Sequence, residues 1–319
     1  MMNSISTSAS YQSILLNIMN AQSTEQTDQQ QYATGKIGSD LTAYSAQAAQ
    51  ITAAQSLTSQ TNTYVQNNTS LADRLTVQDQ SLSQVGTITE NARQAVAEAV
   101  ATGDASSLAT SLQSQLSQAI AALNTQYNGQ YLFAGGETST SPVATSTTLS
   151  SITATGGVAA AFQNGNSPQQ DRIDADTRIT TGFTASSVGT NLFNALAQVQ
   201  TYLQAQQAAN GGQPITTLSA AQTSTLTGML SSFDSAYSAV NNQVAQNGLS
   251  QDQVNSTQTE LQARQTALTN TLGDLTDVDQ AKAATNLQLA QTALQASAQV
   301  FASLNNTSLL NVLSTTTSG

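Results

Sequence analysis

The chain has 319 residues, of which 8% are charged and 4% aromatic, and its 7 basic and 18 acidic side chains give a formal net charge of −11. His and Cys are both absent, which removes the commonest general base, the commonest metal ligand, thiol chemistry and disulfides. An acidic balance without a basic stripe argues against a nucleic-acid partner, and the abundance of Ala, Gln, Ser and Thr favours long helices packed side by side over a thick apolar core.

Residues 1–35 carry Ser and Thr, then one apolar cluster of Ile14, Leu15, Leu16, Ile18 and Met19, then a Gln-rich run to Gln31. Gly35 and Gly38 punctuate the chain there. The start, Met1-Met2-Asn3-Ser4, lacks a basic region and a long apolar stretch, so a general secretory signal is not expected. No apolar run is long enough to span a bilayer, so no membrane association is expected and export needs another route.

A long helix is expected over about 41–101. Its Tyr64, Leu71, Leu75, Leu82, Val85, Ala92 and Val96 follow the three-four spacing of a coiled-coil seam, interrupted by the polar Asn68, Gln78 and Thr89. Gly103-Asp104 closes that pattern. A second helix over 105–128 presents Leu108, Leu112, Leu116, Ile120, Leu123 and Tyr127 on one face and ends at Asn128-Gly129.

From Tyr131 to about 190, short apolar pieces alternate with Ser, Thr and Gly, and Gly156-Gly157 and Asn164-Gly165 are turn signals. This texture reads as a small β-rich insert. Helical spacing returns at Leu192, Leu196, Val199 and Leu203 and stops at Asn210-Gly211-Gly212-Gln213-Pro214. A further helix carries Leu226, Leu230, Phe233, Tyr237, Val240 and Val244 and is expected to end at Asn247-Gly248. The last, over about 250–305, repeats Val254, Leu261, Leu268 and Leu275 by sevens. Its stripe then shifts phase to Ala283, Leu287, Ala290, Leu294, Ala298 and Phe301, a local unwinding that does not end a coiled coil. Leu309, Leu310, Val312 and Leu313 form a closing apolar cluster.

The pattern is mirror-like and defines a mainly α fold. The N- and C-terminal segments form a long antiparallel coiled coil or bundle, and a small β-rich domain is inserted between them. The boundaries expected are an assembly and export segment at 1–40, a helical arm at 41–134, the insert at 135–190, a second arm at 191–300 and an assembly tip at 301–319. Each terminal cluster is too short for a stable isolated helix, since about 12–15 residues are needed in water. Burying one Leu or Ile gives only about 1.5–3 kcal/mol, so the ends are expected to order when copies pack together. The candidate interface residues are Ile14, Leu15, Ile18, Met19, Leu294, Phe301, Leu309, Leu310 and Leu313. Heptads alone leave open an isolated bundle with frayed tails.

Several segments resemble the flagellin superfamily. They are Ile5-Ser6-Thr7-Ser8, Tyr32-Ala33-Thr34-Gly35-Lys36, and Tyr131-Leu132-Phe133-Ala134-Gly135 after a long helix. Asp174 to Phe193, with Arg178-Ile179-Thr180 and Gly189-Thr190-Asn191-Leu192-Phe193, and the end from Asp277-Val278-Asp279 to Ser308-Leu309-Leu310-Asn311-Val312-Leu313 are similar as well. The Tyr-Leu-Phe-Ala-Gly segment is most like the hook-associated, hook–filament junction members (FlgL type). The chain departs from the flagellin pattern at Asp40, which no Asp or Pro follows, and at Asn91-Ala92-Arg93-Gln94. The resemblance implies a non-enzymatic, extracellular structural subunit of the bacterial flagellum, exported by the flagellar type III route. The implied partners are copies of itself, a hook-associated protein, flagellin and an export chaperone bound at the C-terminal helix. Filament flagellin itself is the alternative.

The chain offers no His- or Cys-based nucleophile and no phosphate-binding loop, and no cofactor is expected. Asp171, Asp174 and Asp176 could in principle hold calcium, but solvated loop carboxylates with Arg172 and Arg178 nearby are the expected reading. Asp274, Asp277 and Asp279 fall on an expected helix, where a polar face is favoured over carboxylate catalysis. Tyr127, Tyr131 and Phe133 are expected to pack at the junction of helix and insert. Arg74, Arg93, Arg264 and Lys282 lie on the long helices near acids such as Asp73 and Glu260 and are expected to form inter-helix or inter-subunit pairs that help set register. A secreted carbohydrate-binding or carbohydrate-active protein, using the insert and its acidic residues, is the reading from a different class.

Overall fold

In a computed structural model, the backbone of residues 2–316 and the side chains of residues 12–303 are described. The elements in chain order are α1 (Met2–Thr34), α2 (Ala48–Thr102), α3 (Leu108–Leu123), the hairpin β1 (Gln126–Tyr127) and β2 (Gln130–Tyr131), and α4 (Leu149–Ile152). A second hairpin, β3 (Gln170–Arg172) and β4 (Arg178–Thr180), precedes α5 (Ala185–Ala209), α6 (Ala220–Thr276) and α7 (Gln280–Thr316). The chain divides into two units, one of residues 62–262 and one of 1–61 with 263–319.

The unit of 62–262 is built on the seam visible in the sequence. Leu71, Leu75, Leu82, Val85, Ala92 and Val96 of α2 are buried, as are Leu226, Phe233, Val240, Val254 and Leu261 of α6. Below Leu82 they join one core with Leu112, Leu116 and Leu123 of α3 and Leu192, Phe193 and Leu196 of α5. The polar seam positions are also buried, and each has a use. Gln78 donates from Nε2 to the Thr181 carbonyl (2.8 Å) and to Asn247 Oδ1 (2.9 Å). Asn247 donates in turn to the Leu75 carbonyl (3.0 Å), and Asn68 donates to the Ile173 carbonyl (3.0 Å). Thr89 returns its hydroxyl to the Val85 carbonyl of its own helix. A buried polar layer of this kind fixes register, because any slip leaves desolvated amides without partners.

This layer overturns the break expected at Asn247-Gly248. α6 runs through both residues. Asn247 is wholly buried, and its amide is satisfied across the seam rather than by its own backbone. A helical Gly costs about 1 kcal/mol against Ala, which the packing on either side offsets. The true interruption lies at 277–279, where the phase shift was expected to pass without ending the helix. Asp279 caps the new helix by accepting from the amides of Ala281 (2.9 Å) and Lys282 (3.1 Å).

The insert is mostly loop. Its strands, β3 and β4, are three residues long and form one hairpin, and the β1–β2 hairpin lies just before the insert. Ile173 and Ile179 anchor the second hairpin on Leu71, Leu75 and Val254. Arg74 forms an ion pair with Asp171, whose carboxylate also accepts from the Thr181 hydroxyl. Gly135 has φ +63, and a Cβ there would lie 2.8 Å from the Ser167 carbonyl oxygen and 2.9 Å from that of Gly165. The Tyr-Leu-Phe-Ala-Gly segment therefore ends in Gly for steric reasons. Of the residues expected to pack at this junction, Phe133 is in the core and Tyr127 packs against it, whereas Tyr131 is half-buried; Leu132 is a further core residue.

Candidate assembly surface

In the other unit, α1 packs against α7. Ile14, Ile18, Ala21, Glu25 and Asp28 are half-buried at four-three spacing along α1. On α7, Ala283 and Ala290 are buried and Leu287, Leu294, Ser297 and Phe301 are half-buried at the same spacing. Two matching stripes of this period make an antiparallel seam. The small Ala residues let the helices approach closely, and Glu25, Asp28 and Ser297 keep the seam shallow. The ends, expected to order on assembly, are thus drawn as helices that lean on each other.

The pair starts from two coincident breaks. Gly35, at φ +69, ends α1 by donating its amide to the Gln31 carbonyl (2.8 Å). Ile37 then donates to the Thr276 carbonyl (2.9 Å), and Val278 donates to the Gly35 carbonyl (2.9 Å). Lys36 pairs with Asp277 across this bridge and donates to the Thr276 hydroxyl (3.0 Å). The Lys36 ammonium draws the Asp277 carboxyl below the usual carboxylate range, and the Thr276 hydroxyl adds to that. Buried Tyr44 braces the turn, accepting from the Gly38 amide (3.0 Å) and donating to the Gly38 carbonyl (2.9 Å). Asp40 caps the following 3-10 turn through the Thr42 hydroxyl and amide, which hold its carboxyl low as well.

Away from the seam, large apolar side chains face solvent. Leu15, Leu16 and Met19 of α1 are exposed, as are Leu289 and Val300 of α7. The expected interface residues therefore fall into two groups. Ile14, Ile18, Leu294 and Phe301 lie on the α1–α7 seam, while Leu15 and Met19 lie on the outer face. Leu309, Leu310 and Leu313 lie outside the residues whose side chains are described. Leu289 and Val300 were missed, although Leu289 sits two residues from seam residue Leu287 and cannot share its face.

The acidic clusters do not gather into a site. Asp171 is taken by Arg74 and Thr181, and Asp174 accepts from the Ala175 amide. Among the described residues, no three carboxylates converge as a metal ion requires. Asp277 and Asp279 lie at the helix break, not on a helix, and serve as ion-pair partner and cap. Arg74 pairs with Asp171 of the second hairpin, and Arg93 reaches Asp234 on α6 at 2.6 Å, an inter-helix pair of the kind expected. Among the described residues, no helix is long and apolar enough to cross a membrane.

One unit is thus a pair of terminal helices, and the other is a helical bundle that carries two short hairpins. The family model described as the bacterial flagellin N-terminal helical region matches residues 5–138, and the bacterial flagellin C-terminal helical region matches 230–313. Together they span more than half of the chain, which belongs to the flagellin family and is a structural subunit of the bacterial flagellum. No curated protein matches the sequence. Among solved structures, one is a protein from Vibrio parahaemolyticus titled as a flagellar hook-associated protein. It has 17% identity and a TM-score of 0.57, over 71% of this chain and 96% of that one. Another is the FlgL of Bacillus cereus, with 14% identity and a TM-score of 0.51, over 70% of this chain and 99% of that one. At such identities the likeness is one of fold.

Proposed function

We propose that this subunit works at the junction between hook and filament, where a short ring of copies joins a hook-associated protein to flagellin. The observation that carries the reading is the set of large apolar side chains that the α1–α7 pair leaves in water, Leu15, Leu16, Met19, Leu289 and Val300. So many exposed apolar side chains on two paired helices mark a surface that neighbours cover. The candidate interface is therefore these residues together with Ile14, Ile18, Leu294 and Phe301 on the seam and Leu309, Leu310 and Leu313 beyond it. The fold shared with the hook-associated proteins, and Leu132 and Phe133 anchoring the helix-to-insert transition, support the junction role over the bulk filament role. No catalytic step is assigned to the chain: of the acids singled out in the sequence, Asp279 caps α7, and Asp277 and Asp171 pair with Lys36 and Arg74. In this reading the chain leaves the cell through the flagellar export channel, held beforehand by a chaperone on its C-terminal helix, and acts outside.

The test is a deletion strain. Cells lacking this subunit keep their hooks, make no filament and shed unpolymerised flagellin into the medium. Loss of the flagellin itself from both filament and medium would instead identify the chain as the filament subunit.

A further inference from the structure

Four Asn-Gly pairs occur in the chain, at 128–129, 164–165, 210–211 and 247–248, and the fold gives each a different fate. Asn-Gly is the pair in which a side-chain amide is open to attack by the next backbone nitrogen, because Gly adds no side chain to block it. The Gly nitrogen bonds to the Asn side-chain carbonyl carbon and loses its proton to solvent. The C–N bond to the side-chain nitrogen breaks and ammonia leaves. Water then opens the five-membered imide at either carbonyl, giving aspartate or isoaspartate. The reaction requires an exposed site, a mobile side chain and a backbone nitrogen that no carbonyl holds.

Asn247 fails every requirement, since it is wholly buried, helical and bonded to Leu75 and Gln78. Asn164 is pinned from both ends. Its Nδ2 donates to Ser186 Oγ (3.0 Å), its Oδ1 accepts from the Ser186 amide (3.0 Å), and the Gly165 amide donates to Ala134 (2.9 Å). Asn210 is exposed, but its Nδ2 donates to the Gln213 carbonyl (3.3 Å) and the Gly211 amide donates to Ala208 (3.2 Å). Asn128 alone of the four is free on all counts. It forms the tip of the β1–β2 hairpin with Gly129, at φ 51 and 77, and both residues are exposed. Within the described residues, neither its side chain nor the Gly129 amide has a hydrogen-bond partner.

We propose that Asn128 is a deamidation site of the folded protein. The new carboxylate arises in a cleft of about 380 Å³ that Asn128 lines with Arg74, Tyr127, Asp171 and Arg172. Arg172 leans on the Asp174 carbonyl (3.2 Å) and the Ala175 carbonyl, both neutral acceptors. It is the charge best placed to receive an anion, because Arg74 is already paired with Asp171.

The experiment is incubation of the full chain at mildly alkaline pH, with peptide mapping by mass and isoaspartate detection over time. Asn128 converts first. Asn164 and Asn247 convert at least ~10-fold more slowly, because each must open locally before it can react. In denaturant the four pairs converge to similar rates. Asn128→Gln removes the first acidic charge variant on isoelectric focusing while leaving the melting curve in place. A folded chain in which Asn128 stays intact, or reacts no faster than Asn247, overturns the assignment. So does a rate order unchanged by denaturant.

Discussion

The two helix pairs of this molecule use one spacing to opposite ends. Between α2 and α6 the seam is closed: Leu75, Leu82, Leu226 and Phe233 are fully buried, and the polar Gln78 and Asn247 satisfy each other. Between α1 and α7 only Ala283 and Ala290 are buried among the described side chains, while Leu15 is 52% exposed, Leu16 59% and Leu289 63%. The first seam completes a fold inside one chain. The second leaves large apolar side chains exposed, which in the proposed function are the ones that neighbouring copies cover. A heptad therefore specifies where a helix faces, and side-chain volume and charge at its positions specify whether that face is finished.

The largest effect should come from the open pair. Changing Leu15, Leu16 and Met19 together to Ser should abolish assembly, seen by sedimentation or electron microscopy. The monomer's melting curve should move little, since exposed positions usually contribute within about 0.5 kcal/mol each. A large loss of monomer stability would show that these side chains already complete the chain's own fold. Next, Phe233→Ala in the closed seam should cost about 3–5 kcal/mol in denaturant unfolding, enough to endanger folding outright. Asn247→Ala should cost about 1–3 kcal/mol, because Gln78 and the Leu75 carbonyl lose a partner in a desolvated layer. A neutral outcome there would mean that water enters the layer.

The smallest effect belongs to the bridge at the breaks. The folded pKa of Asp277 is depressed, so its stabilisation is complete above the ordinary carboxylate pKa of about 3.9 and is lost as pH falls through the lower folded value. The pair is solvent-exposed, so the change should escape a melting curve. It should appear as an acid-induced shift of the Ile37 and Val278 amide resonances. Asp277→Asn should remove that acid limb while sparing the one that Asp40 produces near Thr42.

Much of this was readable from the residues. The α2 seam was legible down to its polar positions, because burial follows period more closely than it follows polarity. What failed was local reasoning about ends. Asn247-Gly248 has the chemistry of a stop signal, yet a tertiary partner 169 residues away, Gln78, satisfies the Asn and keeps the helix intact. The real stop at 277–279 has no Gly or Pro to mark it. Its signal was Asp279 as a cap, hidden among acids that looked like a helix surface. Pairing between helices was legible at Arg93, which reaches Asp234 on α6, whereas Arg74 pairs with Asp171 of the second hairpin, which only the fold brings near. In the insert, alternating Thr and small apolar residues suggested more strand than the three-residue β3 and β4, which pair only with each other. The N-terminal apolar cluster was legible, but its division into half-buried Ile14 and Ile18 and exposed Leu15 and Met19 was not, because that division depends on where α7 packs.

The bridge from Gly35–Ile37 to Thr276–Val278 has a mechanical side. It ties the roots of α1 and α7 together, so the two strands leaving it share any pull between them. In a rotating shaft, tension on one root would be handed sideways through Ile37 and Val278 before it could peel its helix from the other. A knot of two backbone hydrogen bonds and one ion pair would then act as a strain relief, like the clamp where a cable enters its plug.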